Sequence, residues 1–148
     1  MCSSDLNKTG RAITRNADGT MTAAASDDDG ALMVFNRLDQ GNVAPRTLVR
    51  GPKSGIVRIT QMPVHAPRKF MIATQPGEIT VMEPEDAFVG VWSMDDNGDV
   101  PPLYRIGVGP KTTMKKPRGV VLDPKHKEMV IADMRLNAVL TFSFPEIF

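Results

Sequence analysis

Three features of this 148-residue chain predict an all-β fold of repeated, small antiparallel sheets. Apolar and polar residues alternate in short runs bounded by Gly, Pro, Asn and Asp, the period-two pattern of half-buried strands. One phrase, Asp39-Gln40-Gly41-Asn42-Val43-Ala44-Pro45 followed by Gly51-Pro52-Lys53-Ser54, returns as Asp96-Asn97-Gly98-Asp99-Val100-Pro101-Pro102 followed by Gly109-Pro110-Lys111-Thr112. The displacement is 57 residues at Gly41/Gly98 and 58 at Pro52/Pro110. A second phrase runs Pro117-Arg118-Gly119-Val120-Val121-Leu122-Asp123, then Glu128 to Asp133, then Asn137 to Phe142. Its earlier copy is Ala24-Ala25-Ser26, a turn of Asp27-Asp28-Asp29-Gly30, and Ala31 to Phe35, aligned without a gap.

Each unit reads as one sheet. The first, residues 11–51, has strands at Ala12 to Arg15, Met21 to Ser26, Ala31 to Asn36 and Arg46 to Arg50. The second, residues 56–110, begins at Ile56 to Ile59 or Met62 to His65. It continues through Lys69 to Thr74, a strand within Glu78 to Met94, and Leu103 to Val108. Between Thr74 and Trp92 it holds about nine more residues than the third unit holds between Asp133 and Phe142, with turn signals at Gln75-Pro76-Gly77-Glu78 and Glu83-Pro84-Glu85-Asp86. An extra hairpin is expected there. The third unit, residues 117–148, has strands at Gly119 to Asp123, Glu128 to Asp133 and Ala138 to Phe144, and stops at Pro145-Glu146-Ile147-Phe148 without a fourth.

Four-stranded sheets arranged radially resolve the exposed-edge problem as a β-propeller, which closes with roughly four to eight blades. Two and a half to three blades are therefore expected to form a partial propeller. A last blade of three strands fits ring closure by a strand from the protein's own N-terminus, so further N-terminal blades of the same protein are expected as its partner. Residues 1–6 read as a sequencing-adaptor scar, since Cys2-Ser3-Ser4-Asp5-Leu6 is what the adaptor end TGCTCTTCCGATCT encodes in one frame. On that reading the natural start lies upstream and the single cysteine is not native.

The phrases Pro117 to Asp123, Met129-Val130-Ile131-Ala132-Asp133 and Asn137-Ala138-Val139-Leu140-Thr141-Phe142 resemble an NHL-type repeat, within the six-bladed, TolB-like propellers. The longer units and the ending Phe144-Pro145-Glu146-Ile147-Phe148 are similar to a bacterial set of uncharacterised NHL-like repeat proteins. The resemblance spans roughly Ala12 to Phe148 and implies the fold and an extracytoplasmic setting. It implies no single activity, because that group includes enzymes, scaffolds and binding proteins.

Composition excludes several classes. Lys and Arg number 18 against 17 Asp and Glu, which leaves no global basic field for nucleic acid. No apolar run approaches the roughly 20 residues of a membrane helix. With Cys2 alone and only His65 and His126, a nucleophilic triad lacks parts. An EF-hand-like loop opening at Asp95 needs Glu at its twelfth position and finds Ile106. Gly107-Val108-Gly109-Pro110-Lys111-Thr112 departs from a phosphate loop because Pro110 removes an amide, so it is expected to connect blades. His126, among charged neighbours, reads as part of a solvated turn.

The resemblance also raises a metal-dependent lactonase-like hydrolase of the gluconolactonase and regucalcin type, toward which Asp123, Asp133 and Asn137 are the available residues. In NHL-type repeats such residues commonly cap strand ends, and Ser26 and Gly30 replace Asp133 and Asn137 in the first copy, so structural use is expected. No catalytic residue, metal or cofactor is assigned. The expected role is a non-catalytic binding or scaffold module that recognises a protein or small ligand through blade-connecting loops. Two surfaces are the candidates: the second-blade insertion, with Glu83, Glu85 and Asp86, and the basic loop of Lys115, Lys116 and Arg118. An RNA-binding propeller is the weaker alternative, since the basic residues lack interleaved aromatics. Phe35, Trp92 and Phe142 fall at equivalent positions and are expected to pack between sheets, while the ten methionines fill irregular gaps.

Overall fold

A computed structural model describes residues 10–15, 20–25, 30–78 and 80–148, with side chains from Gly30 onward. The adaptor-like residues 1–6 and most of the Asp27-Asp28-Asp29-Gly30 turn lie outside the described residues. Among the described residues, eleven strands form three antiparallel sheets. The first contains β1 (Gly10–Arg15), β2 (Thr20–Ala25), β3 (Ala31–Asn36) and β4 (Thr47–Val49). The second contains β5 (Val64–His65), β6 (Phe70–Gln75), β7 (Phe88–Ser93) and β8 (Tyr104–Gly107). The third contains β9 (Pro117–Asp123), β10 (Glu128–Asp133) and β11 (Ala138–Ser143). In each sheet, consecutive strands pair as neighbours.

The second sheet explains the architecture, because it is buried on both faces. Side chains of successive strand residues point to opposite faces. Met71, Ala73, Phe88 and Trp92 therefore meet Leu32, Val34 and Val49 of the first sheet in one core. Ile72, Val89 and Val91 turn the other way and meet Val120, Met129 and Ile131 of the third sheet in a second core. Each fully buried side chain of this kind contributes roughly 1.5–3 kcal/mol. Neither neighbour could be removed without exposing one of these faces. Such face-to-face stacking of separate small sheets is the arrangement of a partial propeller. On the far face of the third sheet Val121 and Val139 remain exposed.

Polar contacts set the spacing between blades. Between the first and second sheets, Leu48 N–H donates to Asn97 Oδ1 at 2.9 Å and Gly98 N–H to Leu48 O at 2.7 Å. Asp99 Oδ1 accepts Lys53 N–H at 2.7 Å. Gly51 permits this approach: its φ is +124°, and a Cβ there would stand 2.6 Å from Asp99 Cγ. Between the second and third sheets, Val120 N–H donates to Gln61 Oε1 at 2.8 Å and Thr60 Oγ1 donates to Arg118 O at 2.7 Å.

Several expectations change. The second blade opens with Val64–His65 and the 3-10 turn Ala66–Arg68, not with Ile56 to Ile59. Ile56 and Ile59 are instead buried in the core beside the first sheet. The expected hairpin in the insertion is not formed: the described residues of 76–87 contain no strand, and β6 pairs directly with β7 from Gln75↔Phe88. Carbonyls there are taken by a lysine ammonium, described below, so they do not enter a ladder. The gapless alignment also slips by one residue. Ala25 pairs with Ala31 while Asp133 pairs with Ala138, so the structural equivalent of Asp133 is Ala25 and not Ser26.

That register exposes a recurrent device. Met21, Met71 and Met129 lie directly opposite Phe35, Trp92 and Phe142. Trp92 belongs to the core shared with the first sheet and Phe142 packs against the core shared with the second. Two of the methionines are thus regular cross-strand partners at a blade interface, where flexible thioethers and ring edges pack well. No helix among the described residues is long and apolar enough to cross a membrane.

Candidate functional site

Asp133 holds the basic loop where, among the described residues, the two sequence-predicted surfaces meet. It ends β10, and its carboxylate is buried, with 2% of the residue exposed. Oδ1 accepts the N–H groups of Arg135 and Leu136, both at 3.0 Å, which shapes the turn into β11. Asn137 completes that turn with φ +50°, a conformation Asn tolerates. Oδ2 accepts the N–H groups of Lys115 at 2.7 Å and Lys116 at 2.8 Å, just before β9. One carboxylate therefore holds two loops side by side.

The same task recurs one repeat earlier. Gln75, the equivalent of Asp133, accepts Val57 N–H at 3.2 Å and Arg58 N–H at 2.9 Å through Oε1. Residues 57, 58 and 75 stand 58 positions before 115, 116 and 133. A buried side-chain oxygen at the end of a blade's second strand thus secures the segment leading into that blade. Both Asp133 oxygens are committed in this way.

Lys116 differs from the expectation of a surface ligand contact. It is 1% exposed, and its Nζ donates to Glu78 O at 3.0 Å and to Val81 O. The stem crosses beneath the 76–87 loop, and the ammonium replaces the strand partner that loop lacks. Burying this charge is tolerated because backbone carbonyls receive its protons. Its role is to anchor the insertion.

Lys115 and Glu83, expected on two separate surfaces, are in contact. Lys115 Nζ lies 2.8 Å from Glu83 Oε2, and Arg135 Nε lies 3.2 Å from Glu83 Oε1. The hydrogen bond from Lys115, then that from Arg135, holds the Glu83 carboxyl below its ordinary pKa. Beside this bridge opens a cavity of about 710 Å³. Its walls are Pro84, Val108, Pro110 and Leu136, with Glu83, Glu85, Thr113 and Lys115 supplying polar atoms. Thr113 lies in the left-handed region at φ +62°, strained for a β-branched residue. The strained turn is braced by Thr112 Oγ1, which donates to Gly107 O at 2.8 Å, and by Gly109 N–H, which donates to Met114 O at 3.2 Å. Ser54 Oγ donates to Gly51 O at 2.6 Å in the earlier copy, so both Gly-Pro-Lys-Ser/Thr segments close on their own backbones as connecting loops.

Of the six predicted residues, Glu83, Glu85 and Lys115 line the cavity. Lys116 lies under the adjacent loop. Asp86 is exposed beside Gly77, and Arg118 is exposed on β9, where its carbonyl receives Thr60 and Thr74. Arg135, Leu136 and Thr113 were not anticipated. Arg135 and Leu136 sit in a hairpin turn whose sequence marks only a turn, and Thr113 follows a phrase whose repetition signals connection.

A second polar cluster occupies the turn between β9 and β10. Asp123, His126 and Glu128 each offer one ligand atom within 4.8 Å of the others, the one such group among the described residues. Asp123 Oδ2 stands 2.6 Å from His126 Nδ1, while Oδ1 accepts the amides of Lys125 at 3.1 Å and His126 at 3.2 Å. The hydrogen bond and charge of Asp123 raise the His126 pKa above 6.5, and the Asp123 carboxyl is correspondingly lowered. His65, by contrast, is buried edge-on to Phe148 at 5.1 Å, and burial followed by the charge of Arg68 lowers its pKa.

No protein-family model and no curated protein matches this chain.

Proposed function

We propose that the chain is the binding portion of an NHL-like, TolB-type propeller and acts without catalysis, taking a small amphiphilic molecule into the cleft between the 80–87 and 108–115 loops. The observation that carries this is the cavity of about 710 Å³, lined by four apolar side chains and a few polar ones. Small-molecule sites are typically concave, roughly 300–1,000 Å³, and mainly apolar with a few placed polar groups. Asp133 holds the end of the second loop and Lys116 anchors the first through Glu78 and Val81, so little ordering is left to binding. Against the lactonase-like alternative stand the four amides donated to Asp133, which occupy both of its oxygens.

The test is two-dimensional NMR with 2-naphthamide, an uncharged bicyclic probe. Shift changes should centre on Val108, Thr113 and Leu136 and disappear in Leu136→Arg, whose side chain enters the hollow. Changes elsewhere, or changes unaffected by Leu136→Arg, would overturn the assignment.

A further inference from the structure

We infer that the cleft's ligand carries a single anionic group, a carboxylate or its equivalent, which replaces Glu83 between Lys115 and Arg135. This rests on the binding reading above and specifies its ligand. Lys115 Nζ and Arg135 Nε address different oxygens of one carboxylate, at 2.8 and 3.2 Å. Two cations so placed form a receptor for a planar anion. Glu83 is its internal occupant.

Three features make the replacement feasible. The backbones that carry the two cations are held without Glu83, since Asp133 accepts the amides of Lys115 and Arg135. Both side chains therefore still project from the same place when Glu83 leaves. The insertion is likewise held by Lys116 through the carbonyls of Glu78 and Val81, so Glu83 can rotate away without the loop unfolding. Finally, the bridge is solvent-accessible, with side-chain exposures of 43–45% for Lys115, Glu83 and Arg135. Ion pairs of this kind are weak and readily exchanged.

Position then sets the orientation of the ligand. Glu83 and Lys115 line the cavity together with Leu136, Val108 and Pro110. An anionic head on the two cations places an attached apolar body against those walls. Glu85, also in the lining, opposes a second negative charge, which selects a monoanion over a dianion.

The experiment compares 2-naphthoate with isosteric, uncharged 2-naphthamide by NMR titration of the full chain. Glu83→Gln should strengthen 2-naphthoate by about fivefold, the upper range of an exposed ion pair, and leave 2-naphthamide unchanged. Lys115→Met and Arg135→Met should each weaken 2-naphthoate alone, and 2,6-naphthalenedicarboxylate should bind less well than 2-naphthoate until Glu85→Gln is introduced. Equal responses of the acid and the amide to Glu83→Gln would overturn the anion assignment while leaving the cleft in place. Failure of both probes to bind would overturn the cleft and the anion together. Unchanged thermal midpoints of these surface variants exclude misfolding as the cause.

Discussion

Replacing Asp133 with alanine should release the Lys115–Lys116 segment from the turn between β10 and β11 and cost about 3–5 kcal/mol. Four N–H groups lose their acceptor, at 2.7, 2.8, 3.0 and 3.0 Å. Net values for hydrogen bonds to a charged group are about 1.5–3 kcal/mol each, and four such values do not add. Arg135 is exposed and Leu136 half-buried, so water can recover much of their share. Lys116 is buried and Lys115 half-buried, so their two bonds dominate the loss, which is where the estimate comes from. Asparagine provides the control. Its one oxygen can serve one pair of donors while its NH₂ faces the other pair, so Asp133→Asn should cost about half as much. Gln75→Ala, which releases two amides from a neutral acceptor, should cost about 1–3 kcal/mol. Urea denaturation gives all three values, and the slopes should be unchanged. A loss below about 1 kcal/mol for Asp133→Ala, or equal losses for alanine and asparagine, would refute the account of a buried carboxylate as the fastener of these loops.

Three other outcomes follow from the packing. Gly90→Ala should destabilise by about 1–3 kcal/mol or more, since its Cβ would stand 2.3 Å from Trp92 Cη2 in a closed core; denaturant midpoints report this, and Trp92→Leu should relieve it. Lys116→Met keeps the apolar stem but removes the donors to Glu78 and Val81, so hydrogen exchange and proteolysis should rise within 76–87 while β6 and β7 stay protected. The two histidines should titrate on opposite sides of 6.5 by NMR, His126 above and His65 below. His126, raised by Asp123, contributes stability that is complete below pH 6.5 and fades as pH climbs through its folded value; Asp123→Asn should return it toward 6.5. His65, lowered by burial and Arg68, is favourable above pH 6.5, and its contribution falls as pH drops below that value. Coincident titrations of His65 and His126 would contradict both environments.

Strand pattern and repetition carried the architecture because they are local. Ala31–Asn36 and Glu128–Asp133 are short apolar runs bounded by polar turn residues, and their bounds are those expected. The 58-residue offset, read from Gly51-Pro52 and Gly109-Pro110, also governs the Gln75 and Asp133 fasteners, but a Gln and an Asp do not look alike until each is seen accepting two consecutive amides. Turn signals around Gly77 and Pro84 marked an insertion correctly and its internal structure wrongly, since a turn signal does not say whether flanking residues will find a ladder partner.

Lys115 and Lys116 are adjacent and chemically alike in the sequence, yet one reaches into a solvent-facing bridge and the other is sealed beneath a loop. From its residues alone the chain is determined to be all-β, built of short repeated sheets, and to carry a charged insertion and a basic connection. Whether those two charged segments repel, ignore or hold one another depends on the packing of the second sheet on the third through Ile72, Val89, Val120 and Ile131. That packing is set by burial of two apolar faces between segments far apart in the chain, and it brings Glu83 to Lys115 and Arg135. Charge type is a property of single residues; which charges meet is a property of the folded whole.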